Sequence, residues 1–289
     1  MRLNFWPVAI PVAGIAAGVA AWGAVHPTSQ LFGPTLHRTR RRREIALTFD
    51  DGPNPAMTPR LLELLARHSV RASFFVVGRF ARACPELVRE TAARGHVVGN
   101  HTETHPNLAL LSRSRIAEEL ARCSDSIAEA LGAEQARWMR PPFGYRGPQM
   151  WGAVRSAGLR GVVTWSLTCY DWKPQPASRL IERLGRVADH AFRDTGLRSG
   201  RDGSDDVNEE GSYGAQRRHS GNTARDRGTR SEAMRGGDVV LLHDGNFRLS
   251  GADLPHVLAA LEYWLPRWRD AGLKFVTMDE IAGDSPANV

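Results

Sequence analysis

Two aspartates stand side by side in Thr48-Phe49-Asp50-Asp51-Gly52-Pro53. Adjacent carboxylates repel, so a fold that keeps both at one place needs a cation or a proton-transfer task to hold them there. Gly52-Pro53 is turn chemistry that leaves the pair at a strand end, although the same residues could form a plain turn. Further on, His101-Thr102-Glu103-Thr104-His105 sets two imidazoles four residues apart. On one helical turn both would face the same way, as zinc ligands do. Pro106 disfavours helix at His105 and points to a loop or a single final turn. Glu103 is not in the general-base position of the H-E-x-x-H metalloproteases, and two surface histidines would have the same spacing.

Three later segments add polar groups. Arg140-Pro141-Pro142-Phe143-Gly144-Tyr145-Arg146 is stiff and carries a guanidinium at each end, able to hold a carboxylate by a forked hydrogen bond. Trp165-Ser166-Leu167 leads to Asp171-Trp172, a carboxylate beside a flat wall that suits a sugar ring, or an aromatic packed at a rim. Val239 to Leu242 is a buried-strand run that ends on His243-Asp244-Gly245; a lone histidine there is more often a satisfied rim residue.

The elements that must position these residues alternate. Ile45, Leu47 and Phe49 read as a strand, and a helix begins at Thr58 with Pro59 in its first turn. Strands are expected at Ala72 to Val77, His96 to Gly99, Trp138 to Arg140, Gly161 to Leu167, Val239 to Leu242 and Lys274 to Met278. Helices are expected from Pro85 to Gly95, from Ser112 to Gly132, through Met150 to Ala157, from Ser178 to about Phe192 and from Leu254 to Ala271. A β-α unit repeated about seven times implies parallel strands in a closed or nearly closed barrel, with an open doubly wound sheet as the alternative. The polar segments fall just after strands, where barrel enzymes carry their chemistry, and this favours the barrel.

The chain has 289 residues and a formal charge of +7, nearly all of it arginine, since Lys173 and Lys274 are the only lysines. No ladder of arginines and aromatics of the kind that stacks bases is visible, so nucleic acid is not an expected partner. Cys84, Cys123 and Cys169 form neither a C-x-x-C pair nor an even set, which argues against a thiolate zinc site and a disulfide framework. Phe5 to Val25 is apolar and uncharged, about one bilayer crossing long, and is read as a membrane anchor, with a cleaved signal peptide as the competitor. Arg38 and Arg40 to Arg43 follow it while only Arg2 precedes it. That bias would leave the remainder in the cytoplasm, whereas a substrate outside the cell would require the opposite side. Residues 1–43 are thus an anchor or signal segment with a basic linker, and 44–283 the catalytic domain. The stretch 193–237 is polar, without a core pattern, and is expected to be a disordered insertion.

In order, T-F-D-D-G-P, H-T-x-x-H, R-P-P-F-G, the Asp171-Trp172 segment and L-L-H resemble the five motifs of the polysaccharide deacetylase family, also called carbohydrate esterase family four or the NodB homology domain. The resemblance covers roughly Glu44 to Gly283 apart from the insertion. It implies a distorted seven-stranded β/α barrel and metal-dependent removal of N-acetyl groups from amino sugars of a glycan. By the same resemblance Asp51, His101 and His105 hold a divalent metal ion, zinc first, with cobalt or nickel possible. Asp50 is the general base oriented by Arg140, His243 is the general acid held by Asp171, and Phe143, Trp172 and Leu241 line the acetyl pocket, with a backbone N–H near Phe143 facing the oxyanion. One departure touches Asp171: many members carry an acidic residue three positions before it, and here Thr168 stands there. Deacylation of a lipid-linked sugar and O-acetyl ester hydrolysis are the alternatives within enzymes. An inactive glycan-binding module is the alternative outside them, and it would lack a ligand, base or acid that this chain keeps.

Overall fold

The structure, a computed structural model, describes residues 6–132, 136–192 and 236–283, with side chains from Gly14 onward. Most of the insertion expected at 193–237 therefore lies outside the described residues; Gly237 is held by hydrogen bonds to Thr39 and Arg41. Helix α1 (Trp6–Val25) is followed by β1 (Thr35–Leu36) and the long strand β2 (Glu44–Gly52). Then come α2 (Thr58–Arg67), β3 (Ser73–Val76), α3 (Gly78–Ala83), α4 (Pro85–Ala93), β4 (Val97–Asn100), α5 (Arg113–Leu131), β5 (Trp138–Met139) and α6 (Met150–Ser156). The chain continues with β6 (Gly161–Val163), β7 (Leu167–Thr168), α7 (Ala177–Phe192), β8 (Val239–His243), α8 (Pro255–Asp270), β9 (Lys274–Phe275) and α9 (Met278–Ala282).

Every ladder among these strands is parallel, in the order β1-β6-β5-β4-β3-β2-β8-β7, with β9 paired to the start of β2. The sheet must curl. β6 and β7 lie near opposite ends of that order, yet only Thr164 to Ser166 join them, a reach of about 14 Å at most. The single strand expected from Gly161 to Leu167 is accordingly broken. The Thr164 amide bonds the Leu36 carbonyl on one side, and the Ser166 amide bonds the Val239 carbonyl on the other. The result is a curled, half-open α/β barrel. The expected final strand to Met278 is also cut short, because Thr277 caps α9 with a capping box that includes Glu280.

Side-chain alternation divides β2 between two cores. Ile45, Leu47 and Phe49 face the helices in the large outer core, whereas Ala46 joins Phe75, Trp138, Val163, Val239, Met278 and Ile281 in a second core inside the barrel. Helix α9 thus plugs the end where strands begin. The other end of the interior belongs to Thr48, Asp50 and Arg140, all buried.

The apolar N-terminal stretch does form α1, but among the described residues no helix is long and apolar enough to cross a membrane, so the expected span gains no support here. The end of α1 is tied to the barrel through Arg146. Of the two guanidinium groups in the segment able to hold a carboxylate, this buried one donates instead to the carbonyls of Ser29 (3.0 Å), Gly23 (3.5 Å) and His26, and its amide bonds the Ala24 carbonyl. It thereby covers carbonyls that a helix end leaves without intrahelical partners.

Candidate functional site

Asp50 and Asp51 reach one cavity because β2 breaks its alternation. In a regular strand, neighbours point to opposite faces. Here Asp50 pairs with Phe75 and Gly52 with Val76, so Asp51 is an extra residue in a bulge, with φ of 71°. A left-handed backbone is uncommon for a residue other than glycine. Thr102 (68°), His105 (61°) and Phe143 (59°) share it, and these departures gather around the same cavity. At Gly52 a side chain would strike the Asp244 carboxylate, which leaves room only for glycine.

His101 and His105 sit in a loop after β4, not on a helix. Asn100 accepts from the Thr102 amide (2.8 Å), Thr102 Oγ1 accepts from the His105 amide (3.1 Å), and Glu119 on α5 accepts from both the amide and hydroxyl of Thr104. Glu103 turns away from the cavity to pair with Arg82. The two imidazoles converge on one oxygen: Nε2 of His105 is 3.2 Å and Nε2 of His101 is 3.5 Å from Asp51 Oδ1.

The three ligand atoms of Asp51, His101 and His105 all lie within 4.8 Å of one another. Asp51 Oδ1 is buried without a hydrogen-bond partner, a costly state for a carboxylate unless a cation completes it. His101 Nδ1 donates to the Arg140 carbonyl at 2.8 Å, which leaves the lone pair on Nε2 for an ion. Burial and the neighbouring His101 push His105 down to about 3, so its ring stays neutral and keeps a lone pair to give. Burial alone would raise the Asp51 carboxyl, but His101 close beside it and the other surrounding imidazoles hold it well below the usual carboxylate range. Two nitrogens and a carboxylate suit zinc, cobalt or nickel, so these residues fit a divalent ion.

Asp50 is held separately. Arg140, wholly buried, donates to Asp50 Oδ1 (2.8 Å), to Thr48 Oγ1 (2.7 Å) and to the Thr164 carbonyl (3.1 Å), and its guanidinium lies over the Phe75 ring. Across the cavity, Asp171 grips His243 twice: Oδ1 meets Nδ1 at 3.0 Å and Oδ2 accepts the His243 amide at 2.7 Å. Burial opposes the imidazolium, yet Asp171, with Asp51 and Asp50 beyond it, raises His243 to about 9. The acidic neighbour missing at Thr168 does not prevent this pairing, although Thr168 Oγ1 is left buried and unbonded.

The cavity, about 460 Å³, is lined by Asp50, Asp51, His101, His105 and His243 together with Phe143, Trp172 and Leu241. All ten residues singled out in the sequence therefore come together, eight on the wall and Arg140 and Asp171 behind it. Tyr145, Trp165, Asn246, Phe247 and Arg248 also line it and were not read from the sequence. The last three directly follow the His243-Asp244-Gly245 strand end, a position that places them at a barrel mouth. Asp244 itself is buried beneath, accepts from Thr58 Oγ1 at 2.5 Å, and is raised by burial to about 7.

A polysaccharide deacetylase family model matches residues 37–162, a stretch that ends before Asp171 and His243. A chitooligosaccharide deacetylase of Azorhizobium caulinodans is 34% identical over 161 residues, 56% of this chain and 75% of that one. A peptidoglycan-N-acetylglucosamine deacetylase of Bacillus cereus is 36% identical over 145 residues, half of this chain and 51% of that one. The crystal structure of the Bc1960 peptidoglycan N-acetylglucosamine deacetylase aligns with a TM-score of 0.63 at 25% identity, covering 88% of this chain and 94% of that one.

Proposed function

The chain belongs to the polysaccharide deacetylase family of hydrolases, and from that premise we propose that it hydrolyses N-acetyl groups on the amino sugars of a glycan with a divalent metal ion, zinc or a close substitute, held by Asp51, His101 and His105. The observation that carries this reading is the opposition of two fixed groups across one cavity: Asp50 clamped by Arg140, and His243 clamped by Asp171. A base and an acid on opposite sides of a substrate are what amide hydrolysis demands.

When bound, the ion supplies Lewis-acid polarisation of the acetyl carbonyl and eases deprotonation of the attacking water. The residues do the rest. Asp50 Oδ2, the oxygen not bonded by Arg140, takes the water's proton. Arg140 holds that carboxylate in place by its bond to Oδ1. The amides of Gly144 and Tyr145 are engaged by the Pro141 and Pro142 carbonyls, so the amide of Phe143 is assigned to the oxyanion. As the C–N bond breaks, the amine needs a proton; Asp171 occupies Nδ1 of His243, so Nε2 delivers it. Acetate and a free amino sugar leave. Trp172, Phe143 and Leu241 bound the space for the acetyl group and the sugar face.

Acetate release from N-acetylated chito-oligomers and from peptidoglycan, beside an O-acetylated xylan, tests this reading. Amide substrates should be cleaved, a chelator should abolish turnover, and zinc or cobalt should restore it. Full activity after verified metal removal, or cleavage of the ester alone, would sink it.

Attachment to a membrane, with the catalytic domain outside the cytoplasm, is a further part of the proposal. Ile15, Val19, Trp22 and Val25 of α1 are each more than half exposed, so the barrel does not cover the helix's apolar surface. Recovery of the intact chain in the carbonate-washed membrane fraction is expected; recovery only in the supernatant would overturn it.

A further inference from the structure

Phe247 ties the mouth of the cavity to its floor. Its ring stacks on His105 with centroids 4.0 Å apart and planes 16° apart, and its amide donates to Asp51 Oδ2 at 3.3 Å. The same residue gathers two cations. The Arg248 guanidinium lies 5.2 Å from the Phe247 ring centroid, and Arg79 donates to the Phe247 carbonyl. The Arg248 amide is in turn fixed on Asn246 Oδ1 at 2.9 Å.

Nothing described neutralises these guanidinium groups. On the outer helices exposed arginines meet carboxylates, Arg60 with Asp253 at 2.8 Å and Arg67 with Glu262 at 2.7 Å. At the mouth, among the described residues, neither Arg79 nor Arg248 forms an ion pair, and the only carboxylates lining the cavity are Asp50 and Asp51. Those two are already committed, Asp50 to Arg140 and Asp51 to the cation site. The same mouth is aromatic: Phe143 packs edge-on against Phe247 with centroids 5.5 Å apart, and Phe143, Tyr145 and Trp172 stand partly exposed and offer flat faces to sugar rings. A glycan seated on those faces with its acetamido group in the cavity has Arg248 beside it on the cavity wall. A guanidinium without a carboxylate partner is ready for an anion, and its planar fork matches carboxylate or phosphoryl oxygens.

We propose that Arg248, backed by Arg79, is a subsite for an anionic group on the substrate, so the chain prefers an acidic glycan to a neutral chito-oligomer. This rests on the deacetylase reading and names the substrate class of that same site. The contact is exposed to solvent, so its strength falls with salt, and a single such pair is worth about fivefold at most in kcat/KM.

The metal-loaded full chain is assayed for deacetylation of N-acetylglucosamine oligomers in three forms: neutral, bearing a lactyl carboxylate, and bearing a terminal phosphate. The expected result at low ionic strength is a higher kcat/KM on one or both anionic forms, carried by KM, and which form gains most identifies the anion. Added salt should shrink the preference in the unmodified protein. Arg248→Gln should lower the anionic-to-neutral ratio about fivefold, and Arg248→Glu should drive it below one. Equal kcat/KM on all three forms, a salt-insensitive preference, or a preference that survives in Arg248→Glu overturns the subsite while leaving the deacetylase reading intact. No deacetylation of any form by the metal-loaded protein overturns both.

Discussion

Two buried histidines mark the two ends of the barrel, and they titrate in opposite directions. His243 closes β8 at the end where strands finish, and Asp171 raises it to about 9. His96 stands before β4, at the end where strands start. Burial, with Arg94 and Arg71 nearby, pushes it down to about 4, and its Nδ1 accepts the Ala72 amide at 3.1 Å. Burial alone does not decide the charge of a histidine; the partner at Nδ1 does. A carboxylate there makes a proton available for transfer, whereas an amide N–H there requires the neutral ring. The finishing end stores charge for chemistry, and the starting end, with α9 and its apolar plug, excludes charge for stability.

The largest break in this contrast comes from the aspartates of β2. Asp50→Asn keeps the shape and the cation ligands but removes the proton acceptor. Turnover should fall on the order of 10²-fold or more with metal content nearly unchanged. Asp51→Asn should lose metal first, with part of the activity recovered at high metal concentration. Metal stoichiometry measured beside turnover on both purified variants checks the assignment, and the opposite pattern would reverse the two roles.

A smaller effect is expected from His96. Its folded pKa lies below the ordinary 6.5, so the unfolded chain takes up the proton first as pH falls. Stability is therefore complete above pH 6.5 and is lost between 6.5 and about 4, by an amount on the order of 3 kcal/mol. His96→Gln should flatten the dependence of unfolding free energy on pH across that window while leaving metal binding intact. A slope that stays as steep as in the unmodified chain would show that other groups carry it.

The smallest is at the capping box of α9. Thr277→Ala removes the hydroxyl that accepts from the Glu280 amide and should cost about 1 kcal/mol of stability, read as a lowered melting temperature. Turnover at 25 °C should not change, because the cap sits at the end of the barrel without chemistry. A fall in kcat comparable to that of Asp50→Asn would erase the distinction between the ends.

Much of the site is legible in the sequence because its chemistry is concentrated at strand ends. Asp50, Asp51, His101, His105, Arg140 and His243 each stand in or just after a short apolar run, so their placement at one barrel mouth follows from the alternation of elements. Phe247, Arg248 and Trp165 are less legible, since a phenylalanine, an arginine or a tryptophan at a strand end has no spacing rule that separates a cavity wall from ordinary packing. The role of Arg146 is hidden for the same reason. Its type fits a carboxylate or a row of carbonyls equally well, and only the path of residues 23–29 across it selects the latter.

The sequence by itself determined the parallel β-α order, the strand ends that carry polar groups, and the residue types able to hold a metal and move protons, because apolar periodicity and local motifs are properties of neighbours along the chain. Only the tertiary structure decided that Asp51 bulges out of β2 to share a cavity with Asp50, that Asp171 meets His243 across a sequence separation of 72, and that β6 breaks into β7 to curl the sheet. These depend on hydrogen bonds between segments distant in sequence, whose register no local pattern encodes.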